Sequence, residues 1–110
     1  MFRTINDIIL SGTSITSNTD GETVEITNIY GYSVQVSWTS TIASATVILE
    51  ESNDGENWVA VVGMSQVISN DSDTVIMERS DVFTKYMRAS LVYTSGTVDT
   101  LSIRINAKGI

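Results

Sequence analysis

The chain predicts an all-β fold, a single-domain antiparallel β-sandwich of about eight strands in the jelly-roll or discoidin-like manner. Three observations lead there. Apolar residues recur at every second position in one segment after another. Clusters of Gly, Asn, Asp and Ser separate those segments. Sustained helical spacing is absent throughout.

The elements follow in order. Residues 1–10, MFRTINDIIL, hold Phe2, Ile5, Ile8, Ile9 and Leu10 without a regular period. They are read as an N-terminal arm or edge segment ahead of a β-sandwich domain at 11–110, with Phe2, Ile5 and Ile8 as candidate docking residues. A turn is expected at 18–21. In YSVQVSWT, Tyr32, Val34, Val36 and Trp38 share one face. Residues 41–44 are short enough for one helical turn. In ATVILEE, Ala45, Val47 and Leu49 oppose Thr46, Ile48 and Glu50. Asn53, Asp54 and Gly55 then make a hairpin corner, where Gly supplies the positive φ a tight connection needs. The chain returns with Trp58 as an amphipathic lid over the mouth of the sandwich. Another turn spans 69–73, and Val75 and Met77 alternate with Ile76 and Glu78. Residues 80–85 open with Ser-Asp as a helix N-cap. Met87, Ala89, Leu91 and Tyr93 face away from Tyr86, Arg88, Ser90 and Val92, and a turn follows at 94–97. Last, Leu101, Ile103, Ile105 and Ala107 give the cleanest alternation.

Composition excludes several kinds of chemistry. With no cysteine and no histidine, there is no disulfide framework, zinc-thiolate site, Ser-His-Asp triad or Cys-His pair. A net charge of −7 argues against sequence-independent nucleic-acid binding, which relies on cations at phosphates. The apolar run near the start is too short for a secretory signal or a membrane span, so neither export by a cleaved signal nor membrane insertion is expected. Asp54-Gly55-Glu56 fails as an EF-hand loop, because Val61 falls where the bidentate carboxylate belongs. No phosphate-binding glycine loop occurs, and nothing places two of the thirteen acidic residues in one cleft. No metal or cofactor is expected, and the chain is read as not an enzyme. Asn70-Asp71-Ser72 matches a glycosylation acceptor, which carries no weight without a secretory signal.

Among the aromatics, Tyr32 and Trp38 are expected inside. Tyr30, Trp58 and Tyr86, beside turns, are the candidates for contact with a partner or a glycan.

Three segments, IYGYSVQVSWTST, ATVILEESNDGENWVAV and YMRASLVYTSGTVDTLSIRINAKG, are similar to small β-sandwich virion proteins of tailed phages and prophages. In that group a YGYS-x-Q-x-x-W strand precedes an x-S-x-DGxxW hairpin. A strand with Y-x-R and then Y-T, here Tyr86, Arg88, Tyr93 and Thr94, and a terminal x-I-x-AKG strand follow. The hairpin motif also occurs in discoidin-like carbohydrate-binding domains, and Met77 and Met87 depart from the β-branched or aromatic residues expected there. The resemblance implies a non-enzymatic, virion-located component: a capsid decoration, head-fibre, or neck or tail accessory protein. Its implied partners are copies of itself and other virion proteins. The alternative is a carbohydrate-binding module using loop-borne Trp58 and Tyr30.

Overall fold

A computed structural model describes residues 3–69 and 71–109 of the chain. Among the described residues, seven strands form one antiparallel sheet: β1 (Thr4–Ile15), β2 (Thr19–Asp20), β3 (Val24–Glu25), β4 (Ile29–Ser52), β5 (Val59–Ile68), β6 (Ser72–Arg79) and β7 (Tyr86–Gly109). The pairing resolves into four lanes. Strands β1, β2 and β3 pair in turn along β7, β7 pairs along β4, and β5 and β6 share the other side of β4.

The lanes are folded double. Twenty-four residues of extended chain would reach about 80 Å, yet the longest dimension of the molecule is 44 Å. The bend is made by register shifts between β4 and β7, at Thr39/Ser40, Ser40/Ile42 and Ser44/Ala45. Such bulges insert unpaired residues, kink the strand and change which residues face inward. Between residues 32 and 51 of β4 the alternating buried set is Tyr32, Val34, Val36, Trp38 and Ser40 before the bend, and Ala43, Ala45, Val47, Leu49 and Glu51 after it. The parity switches from even to odd, so the same face of the sheet stays inside as it curls. Residues from both halves, such as Val36 and Ile103 on one side and Val47 and Leu91 on the other, belong to one hydrophobic core. The accessible surface of 6113 Å² matches the roughly 6,000 Å² expected for a compact chain of this mass.

Several expectations need correction. In hydrogen-bonding terms the layers are one curled sheet, because β4 and β7 run through both. The helical turn expected at 41–44 and the reverse turn at 94–97 are both continuous strand at the bend. Residues 80–85 form an irregular loop, without the helix that Ser-Asp suggested. Residues 1–10 are expected as an arm or edge strand docking on a neighbour; residues 4–10 are instead the start of β1. They pair within the chain, from Thr4 opposite Lys108 to Leu10 opposite Ile103, and β1 runs on past residue 10 to Ile15. Ile5 packs against the core and Ile8 is 46% exposed. Phe2 and Asn70 lie outside the described residues.

Candidate functional site

The loop that began as a candidate metal or sugar site, residues 52–58, is held by its own side chains. The Asp54 carboxylate accepts hydrogen bonds from the backbone N–H groups of Glu56 (2.9 Å) and Asn57 (2.8 Å), from Asn57 Nδ2 (2.7 Å) and from the Ser52 hydroxyl (2.9 Å). The Asn57 donors chiefly, with Glu56 and Ser52, hold its carboxyl well below the usual carboxylate range. Gly55 takes φ 77°, the left-handed conformation that glycine adopts without steric cost. Asp54 is thus a turn cap with its oxygens already engaged. Among the described residues, no group of three or more His, Cys, Asp or Glu is placed to hold a metal ion.

The last residue pair of β4 begins a deeper arrangement. Glu51 is 5% exposed, and its carboxylate accepts from the Tyr32 hydroxyl (2.7 Å), Arg79 Nε (3.1 Å) and Nη2 (3.0 Å), and the Thr84 hydroxyl (2.9 Å). Burial alone would raise the Glu51 carboxyl; donation from Arg79, Tyr32 and Thr84 outweighs it and leaves the group below its ordinary value. The same contact acts oppositely on Tyr32, whose phenol is pushed well up by burial and by the adjacent carboxylate. This satisfied cluster forms the floor of an open cleft of about 590 Å³. Its apolar wall is Val59, Ala60, Val61 and Val62, and its polar wall is Ser52, Asn53, Asp54 and Asn57. The apolar wall exists because β5 bulges. Its register on β4 jumps from Ala60 opposite Glu50 to Ser65 opposite Ile48, so residues 61–64 swing clear of the ladder. Gly63, at φ 79°, makes the reversal, and Val62 is left 98% exposed.

The sequence-derived candidates fall in different places. Trp58 is half-buried, with the Arg88 guanidinium 4.3 Å from its ring centre. Arg88 also pairs with Glu50 (3.0 Å) and reaches Asp20 (3.8 Å), while the Ser90 hydroxyl lies 2.9 Å from an oxygen of each acid. Trp58 therefore ends a stitch running across β4 and β7 to β2. A sugar cannot stack on the face that Arg88 covers. Tyr86 is half-buried beside Gly55, with Lys85 Nζ 5.3 Å from its ring centre. Tyr30 stands apart at 51% exposure, on a second cleft of about 700 Å³ with Ser33, Asn106 and Lys108. A hydrogen bond to Asp81, with the charge of that carboxylate, raises its phenol.

Glu51 is not among the candidates that the sequence offers. The signal was its position two residues beyond Leu49 and four beyond Val47, on the inward face. Phe83, 92% exposed, was also missed. Only the folded loop shows that Val82 is buried and Thr84 is tied to Glu51, which holds Phe83 out between them.

Neither a protein-family model nor a curated protein sequence matches the chain. Solved structures share its fold. The SPBc2 prophage-derived protein YomS superposes with a TM-score of 0.71 at 11% identity, over 99% of this chain and 96% of that one. A subunit of the disulfide-linked pili of Bacillus endospore appendages gives 0.63 at 9% identity, covering 99% and 89%. The TNF protein Eiger of S. frugiperda gives 0.59 at 12% identity, covering 99% and 93%. At these identities the likeness is one of fold.

Proposed function

We propose that the chain is a non-enzymatic structural subunit of a phage or prophage particle. It associates with copies of itself and docks on the particle as a capsid decoration, head-fibre, or neck or tail accessory component. The observation that carries this reading is the full-length likeness to a prophage-derived protein, with almost no residue left over on either chain. The connectivity supports it. Split at the bend, the sheet gives two runs of strands, β1–β7–β4–β6 and β2/β3–β7–β4–β5, which we read as a jelly roll, an arrangement that capsid proteins use. The pilus likeness supports a reading of assembly, in this chain without disulfide links because it has no cysteine.

A glycan-binding reading is favoured by one observation, the exposed Tyr30 ring beside the polar cleft holding Ser33, Asn106 and Lys108. A glycan array with the native protein and Tyr30→Ala tests that second reading. The leading one is tested by cryo-electron microscopy of particles made with and without the reading frame. Loss of a repeated density the size of this molecule, 44 × 25 × 21 Å, supports it; identical maps reject it.

A further inference from the structure

We propose that the cleft beside Glu51 receives Phe83 from a second copy of this chain, in a two-fold symmetric dimer. The proposal deepens the self-association part of the reading above. Phe83 is 92% exposed yet not on a loose loop. The backbone N–H of Val82 donates to the carbonyl of Tyr30 (3.1 Å), Val82 is buried, and the Thr84 hydroxyl is fixed on Glu51. An aromatic ring held out in solvent by two anchored neighbours loses little freedom on binding, the condition for a strong contact residue.

The cleft offers what that ring needs. Val59 and Val62 on its wall are 69% and 98% exposed, and its volume of about 590 Å³ exceeds that of a phenyl group severalfold. Thr84 lines the cleft, so Phe83, its neighbour in the chain, stands at the margin of the same opening. Knob and hole on one face are the requirement for an isologous contact, in which each copy gives and receives once.

A second copy is the occupant because the chain carries both the exposed ring and the cleft, and local charge does not oppose the contact. Two molecules of −7 must meet without setting carboxylates against each other. The cleft floor is neutralised internally by Glu51 and Arg79, and β5 carries no charged residue. Lys85, two residues after Phe83, is exposed and in no ion pair among the described residues. As Phe83 enters the cleft, Lys85 comes toward the acidic corner of Asp54 and Glu56 on the other copy. The loop that carries Phe83 brings one exposed charge of each sign, Asp81 and Lys85, so neither copy sets a net like charge against the cleft of the other.

Sedimentation equilibrium of the purified full chain across a concentration series tests this. A monomer–dimer equilibrium is expected, weakened about 30-fold or more by Phe83→Asp. Val62→Asp should act likewise, whereas Val67→Ser and Ile76→Ser, at apolar positions exposed elsewhere, leave it unchanged. Lys85→Glu should weaken the dimer and the added Glu56→Lys restore it. Circular dichroism must show each variant folded; Val62→Asp stands in should Phe83→Asp not fold. A monomer at every concentration, a trimer, or a dimer indifferent to both Phe83→Asp and Val62→Asp overturns the proposal. A monomer that still populates particles would do so without touching the particle-subunit reading.

Discussion

Tyr32 and Glu51 sit nineteen residues apart in the same β-strand, and the hydroxyl of one donates to the carboxylate of the other at 2.7 Å. On a straight strand they would be separated by roughly 60 Å. The contact exists because β4 doubles back, and with Arg79 and Thr84 it clasps the open ends of the curled sheet together.

Removing the acid should therefore open the clasp. Glu51→Ala leaves the Arg79 guanidinium, the Tyr32 hydroxyl and the Thr84 hydroxyl without their acceptor. We expect a loss of about 2–4 kcal/mol, below the upper range for fully buried pairs because Arg79 remains about one-third exposed. Tyr32→Phe, which removes one donor only, should cost about 1 kcal/mol. Urea unfolding followed by tryptophan fluorescence measures both.

The same carboxylate sets an acid limit. The folded-state pKa values of Glu51 and Asp54 lie below their unfolded values, so the unfolded chain binds more protons in acid. Their contribution is fully present above about pH 5 and is lost progressively as pH falls through the unfolded carboxylate values, near 4, toward the lower folded ones. Unfolding free energy measured at pH 7, 5 and 3 should be level over the first interval and fall over the second. Glu51→Gln should flatten that fall.

Much of this architecture was legible in the sequence because period-two alternation survives wherever the strands are regular. Val34, Val36 and Trp38, then Ala89 and Leu91, then Ile103 and Ile105 are all buried as the pattern requires. It fails where bulges break the period. Ile9 and Leu10 are consecutive and both buried, since β1 shifts register between Ile8 and Leu10, so the strand read as an unpatterned arm. The bend at 40–45 looked like a gap between two strands, though the backbone continues through it. The cleft was illegible for a further reason. Glu51, Arg79 and Thr84 meet only once the sheet is folded double, and no local spacing records that fold.

Two glycines test the close packing of the lanes. A Cβ on Gly21 would lie 2.7 Å from the carbonyl oxygen of Ile9 and 2.8 Å from that of Ala89, both backbone atoms with little room to move. Gly21→Ala should cost about 1–3 kcal/mol by forcing the first lane off β7. Gly55→Ala meets only the Tyr86 ring at 3.5 Å but must hold φ 77°, and should cost about 1–2 kcal/mol. Thermal unfolding by circular dichroism ranks them.

Trp58 is predicted to serve the fold rather than a ligand. Trp58→Ala removes the ring under Arg88 and should lower stability by about 1–2 kcal/mol, combining the cation–π contact with lost apolar burial. The dimer constant should be unchanged by sedimentation. Loss of a saturable glycan response in this variant, with the fold intact by circular dichroism, would contradict the assignment.

The central claim is that this chain is a stoichiometric building piece of a particle. Quantitative mass spectrometry of gradient-purified particles, with copies counted against the major capsid protein, tests it most directly. The account predicts a fixed, symmetry-related number, in the hundreds for a shell decoration or about a dozen for a neck or tail position, retained through washing. Wild-type particles that lack the chain, or hold it only in variable traces that salt removes, would contradict it.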